Sequence, residues 1–113
     1  MASETLDVRT EADGCISLHI RREYEGGIVS NEALHIQRAD GPTLRHALTR
    51  FAERSVQASY ALSEGELHLF PPERGSGCNL TLRRAAEHPR GAMDTLSCEL
   101  ETLPALVACL REL

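Results

Sequence analysis

The 113-residue chain has no lysine and no tryptophan, and aromatic residues make up only 4% of it. So few rings exclude an interior or a ligand platform built on stacked aromatics; leucine, isoleucine, valine and alanine must fill the core. Without lysine, every permanent cation is a forked guanidinium, through composition bias or a preference for planar donors. The net charge of −5 argues against coating nucleic acid by bulk electrostatics. No C-x-x-C pair is present, so Cys15, Cys78, Cys98 and Cys109 read as small apolar residues of a reducing compartment. No G-x-S-x-G occurs, and Gly75-Ser76-Gly77 lacks the Lys-Ser/Thr of a phosphate cradle. Neither an enzyme nor a cofactor is expected. Lacking a long apolar run or charged leader, the chain is expected to be soluble and cytoplasmic, with no membrane partner.

What the chain does have is a second copy of itself. At an offset of 62 residues, Ile16–Phe51 lies on Cys78–Leu113 without a gap. Leu18 matches Leu80, Arg21-Arg22 matches Arg83-Arg84, Leu34 matches Leu96, Pro42 matches Pro104 and Leu48 matches Leu110. Apolar positions keep their phase throughout, which predicts a duplicated unit with pseudo-twofold symmetry. Each half is too small to bury a core alone, so residues 1–113 form one compact domain of two docked repeats, 5–55 and 59–113.

Period-two alternation predicts strands over residues 5–9, around Ile16, Leu18 and Ile20, and at Leu34 and Ile36. Turns fall at Asp13-Gly14 and Gly26-Gly27. Asp40-Gly41-Pro42 starts a helix that Asp40 can cap, with Leu44, Ala47, Leu48 and Phe51 on one side and an end near Arg54. The second half repeats the order. Residues 60–62 and 66–70 form a strand or a hairpin about Glu64-Gly65, followed by strands over 79–83 and at Leu96, Cys98 and Leu100. Pro104 opens a helix carrying Leu106, Leu110 and Leu113 on one face. The fold class is α+β: two tandem β-β-β-α units whose antiparallel sheets have helices on one face and ligand access on the other.

Leu6-Asp7-Val8-Arg9, the turn at Gly14, and Ser17–Tyr24 resemble the first hairpin of the positive cofactor four type transcriptional coactivators, which carry an apolar–acidic–Ile-Arg-Glu-Tyr run. Glu32–Ile36 and the following helix are similar to that family's Lys-Gly-Ile-Ser-Leu strand and helix. The wider group includes PUR-domain and Whirly proteins. The resemblance covers residues 5–53 and, more faintly, 66–113. It implies a curved antiparallel sheet backed by helices, with paired units forming a surface for single-stranded DNA or RNA. Glu32-Ala33 replaces the family's Lys-Gly, and Ala85-Ala86 stands where the first unit has Glu23-Tyr24. Both changes remove groups that grip a strand.

Neighbouring strand residues point to opposite faces, so one arginine of each Arg-Arg pair should line the free face. The candidate nucleic-acid-binding residues are Arg9, His19, Arg21, Tyr24, His35 and Arg83, with arginines forking onto phosphates. The competing expectation for Arg21-Arg22 and Arg83-Arg84 is ordinary ion pairing with Glu23, Glu25 or Glu87. His19 and His35 are expected to be cross-strand neighbours, but no H-x-x-x-H spacing points to a metal. Two functions follow. One is a single-stranded nucleic-acid-binding regulator of transcription. The other is an acidic protein-interaction adaptor or partner-specific chaperone that does not bind nucleic acid, using a sheet edge or helix surface. Either a pseudo-dimeric monomer or a homodimer fits the repeat.

Overall fold

The computed structural model describes residues 3–113. Its strands are β1 (Ser3–Thr10), β2 (Ile16–Glu23), β3 (Val29–Ile36), β4 (Ala58–Leu62), β5 (Gly65–Phe70), β6 (Cys78–Arg84) and β7 (Met93–Cys98). They form one antiparallel sheet in the order β1-β2-β3-β7-β6-β5-β4. Helices α1 (Gly41–Arg54) and α2 (Leu103–Arg111) each carry proline in the first turn, where its missing N–H costs nothing. The architecture is therefore α+β, as the alternation of apolar residues requires.

The core is a single apolar cluster. Leu18, Leu34, Leu80 and Leu96 from the strands meet Leu44, Leu48, Leu103 and Leu106 from the helices, all essentially fully buried. Each such leucine contributes about 1.5–3 kcal/mol relative to an exposed side chain. The alternate strand residues, including His19, Arg21 and Thr81, fall on the face the helices leave open.

The middle of the sheet is its thinnest joint. β2 and β3 align over eight residue pairs and β6 and β7 over six, but β3 meets β7 at one, Ala33 with Thr95. Those two residues are 62 positions apart, the offset at which the sequence matches itself. The registers Ile16–Ile36 and Cys78–Cys98 are likewise equivalent at that offset. β1–β2 and β5–β6 differ by one residue: Leu6 faces Ile20, whereas Leu67 faces Leu82. β4 extends the sheet beyond β5 through a two-residue turn, Ser63-Glu64. Gly65 closes that turn because a Cβ there would lie 1.9 Å from the Arg83 carbonyl oxygen.

Three local expectations are corrected. Asp40 makes no side-chain cap to α1. It ends a 3₁₀ turn (Arg38–Asp40) and has helical backbone angles, whereas a capping side chain needs an extended backbone. Its buried carboxylate instead accepts the Ser63 N–H at 3.0 Å and the Ser63 hydroxyl at 2.7 Å, tying the β4–β5 turn to α1. Leu100 lies outside β7. It begins a second 3₁₀ turn (Leu100–Thr102) and packs on the core from there, because the chain must leave the sheet to reach the helical layer. Leu113 lies beyond the end of α2 and is exposed, off the face that carries Leu106 and Leu110.

Candidate functional site

The open face of the sheet is where the strand pattern puts the predicted site. A continuous row crosses all seven strands, from Asp7 through His19, Ala33, Thr95, Thr81 and His68 to Ser59. It contains no arginine. Arg9, Arg21 and Arg83 flank the row, two residues further along their strands. Arg9 and Arg83 stand on β1 and β6, four strand spacings apart, or roughly 19 Å. Arg9 donates to Asp7 at 2.5 Å, and Arg21 lies 3.1 Å from Glu23. Both pairs are more than half exposed. Arg83 is exposed opposite Glu66, with no ion pair among the described residues. The fold thus disperses the three cations across the face and gives two of them local counter-charges.

The histidines do come together. The His19 and His35 rings meet edge to face with centroids 6.0 Å apart. They are diagonal neighbours, since His19 faces Ala33 and His35 faces Ser17. His35 Nδ1 also lies 3.3 Å from the Asp94 carboxylate. Among the described residues no cluster of three or more His, Cys, Asp or Glu is arranged to hold a metal ion. Tyr24 sits beyond the end of β2, half exposed, away from the row.

The second arginine of each pair has a different position. Arg22 and Arg84 lie on the helix side of the sheet and bridge the thin β3–β7 joint. Arg84 donates to Asp94 at 2.7 Å and to the His35 carbonyl at 2.5 Å, while the His35 N–H donates to the same carboxylate at 2.8 Å. Arg22 donates to Glu32 and to the Ser97 carbonyl, the Ser97 N–H donates to Glu32 at 3.3 Å, and Glu4 accepts from Arg22 Nε at 3.2 Å. Asp94 and His35 in one clamp have their equivalents, Glu32 and Ser97, 62 residues away in the other; Glu4 beside Arg22 and the Gly91 carbonyl, 3.5 Å from Arg84, have none. Burial opposes ionisation of Asp94, yet the Arg84 guanidinium and the His35 amide hold its carboxyl below the ordinary value of 3.8. Burial likewise opposes the Arg22 charge, but Glu32 and Glu4 raise its pKa. Strand alternation separates Arg21 from Arg22, as the sequence reading has it. The acceptors of Arg22 were not legible because they include the backbone of a strand 75 residues away.

A cleft of ≈ 520 Å³ opens beside the Arg22 clamp, between Tyr24 and the Pro72–Gly77 loop, where Arg74 stands without an ion pair among the described residues. Cys78 and Cys98, facing one another across β6 and β7, reach its floor. Burial pushes both thiols up to about 12, so neither is a nucleophilic thiolate at neutral pH. At the equivalent position beside Arg84, the loop after β6 folds over, with Arg90 paired to Asp13 and His88 2.9 Å from Glu64. No helix among the described residues is long and apolar enough to cross a membrane. No protein-family model matches the chain, and no curated protein matches its sequence.

Proposed function

We propose that the chain is a protein-interaction adaptor or partner-specific chaperone, built from two β-β-β-α units related by a pseudo-twofold axis between β3 and β7. Support for the duplication comes from the joint itself. A twofold axis between two strands makes a residue face its own equivalent, as Ala33 faces Thr95. The reciprocal Arg22 and Arg84 clamps follow the same rule. Because one chain supplies both halves, the monomer is the working species. Its four free cysteines favour a reducing, cytoplasmic setting.

The observation that carries the interaction reading is the composition of the central row on the open face. Strand binding needs stacking rings and cations along one track. The row offers histidine, threonine and alanine, and Arg9 and Arg21 are engaged by carboxylates of their own strands. Single-stranded nucleic acid is the second reading. It is favoured by the exposed, ion-pair-free Arg83 and by five of six candidates sharing the open face.

Titration of a fluorescent mixed-sequence single strand separates the two. The interaction reading expects no binding even at low salt, and a protein that co-purifies stoichiometrically with the tagged chain after nuclease treatment. Micromolar binding with a steep salt slope, abolished by Arg21→Glu with Arg83→Glu in a folded protein, would establish strand binding instead.

A further inference from the structure

The two edges of the sheet differ. β1 carries Glu4, Asp7 and Arg9, charges that discourage a second strand from pairing. β4, Ala-Ser-Tyr-Ala-Leu, has no charge and no proline. The two-residue turn makes Leu62 and Gly65 a hydrogen-bonded pair, so by alternation Ser59 and Ala61 direct their N–H and C=O groups outward. Both residues are exposed, and no strand among the described residues pairs with them.

A groove of ≈ 220 Å³ runs between this edge and α1. Phe51, Tyr60 and Leu69 give it an apolar floor, and exposed Val56 extends the apolar surface at one end. Arg50 and Arg54 stand on its helix side, and no acidic residue lines it. Neither arginine has an ion pair among the described residues. In a chain of net charge −5, this is a positive, partly apolar groove beside an open row of backbone donors and acceptors.

We infer that β4 and this groove bind an extended acidic segment of a partner protein by strand addition. The segment's backbone pairs with Ser59 and Ala61. Every second side chain of the segment faces the helix layer, so one apolar residue enters the groove while carboxylates two residues to either side of it reach Arg50 and Arg54. A basic segment is repelled by the two arginines, and a proline-rich one lacks the N–H groups the edge needs. The inference rests on the protein-interaction reading and gives that partner its chemistry.

The test uses the full chain and a fluorescein-labelled nine-residue peptide with valine at position 5, glutamate at positions 3 and 7 and threonine elsewhere, followed by fluorescence anisotropy. Measurable binding is expected, weakened at least roughly tenfold by Arg50→Glu with Arg54→Glu, and similarly by Ala61→Pro. Proline at position 61 removes only an outward N–H, so the β4–β5 pairing stays intact. Circular dichroism and urea midpoints check that both variants fold. Absence of binding up to about 1 mM, equal binding of the lysine counterpart, or unchanged binding by both variants overturns the site. A nuclease-resistant partner captured equally by the native chain and by Arg50→Glu with Arg54→Glu also overturns it, while leaving the interaction reading in place. A native chain that captures no protein but binds single strands overturns that reading itself.

Discussion

The Arg22 and Arg84 clamps have equivalent sequence positions and share two equivalent acceptors, but they do not sit in equivalent surroundings. The Arg84 side chain is 1% exposed and depends on one carboxylate, Asp94. The Arg22 side chain is 13% exposed and shares two carboxylates, Glu4 and Glu32. A folded-over loop covers the first, and an open cleft borders the second. The two clamps thus share a hydrogen-bonding scheme that joins β3 to β7 while differing in solvent exposure. The cost of losing a carboxylate should follow exposure rather than sequence.

Asp94→Ala should therefore cause the largest loss. It strands a buried guanidinium, and removing one partner of a buried pair costs about 3–5 kcal/mol. Glu32→Ala removes the equivalent carboxylate, but Arg22 keeps Glu4 and partial access to water, so about 1–2 kcal/mol is expected. Urea midpoints at unchanged slope measure both. Equal losses would mean that the two clamps are energetically alike and that burial does not distinguish them.

Much of the fold was written in local patterns. Leu18-x-Ile20 and Leu80-x-Leu82 alternate with polar residues, and Pro42 and Pro104 mark both helix starts, so element types and the inward faces could be read directly. The self-match at 62 residues also anticipated elements that recur at that spacing. What escaped depends on contacts distant in sequence. Alternation puts Arg21 on the free face and Arg22 on the other, but only strand pairing gives Arg22 the Ser97 carbonyl. Asp40 carries a capping side chain, but its backbone angles direct it to Ser63. The candidate site was legible as a face, and the ion pairing of Arg21 with Glu23 was among its expectations; the pairing of Arg9 with Asp7, also two residues apart on one strand, was not drawn from that spacing. β4 was legible as a strand, but its place at an edge beside Arg50 and Arg54 required the sheet order.

Acid should sharpen the comparison, with a smaller effect. The native pKa of Asp94 is depressed, so the stability it supplies is fully present above its ordinary value of 3.8 and is lost as pH falls through the lower native value. Other carboxylates titrate in the same range, so the informative quantity is the difference between the native chain and Asp94→Asn. That difference should be constant at neutral pH and shrink below about pH 4. A gap that persists undiminished in strong acid would mean that Asp94 stabilises the joint by packing rather than by charge.

The smallest effect should come from the loop that covers the Arg84 side. Asp13 pairs with Arg90 at the surface, and its carboxyl is held below the ordinary range chiefly by the Cys15 backbone N–H, assisted by Arg90. An exposed pair of this kind is screened by solvent, so Asp13→Ala should leave the urea midpoint where it was. The loop's own bonds should respond instead. His88 N–H donates to Ala85 at 3.0 Å and Gly91 N–H to His88 at 2.9 Å, and neither belongs to the sheet ladder. If the Arg90–Asp13 contact holds the loop down, those two amides should exchange faster in Asp13→Ala, while amides of β6 and β7 keep their protection. A midpoint shift as large as that of Glu32→Ala, with faster exchange along β7, would make the pair part of the central joint and remove the distinction between a closed clamp and an open one.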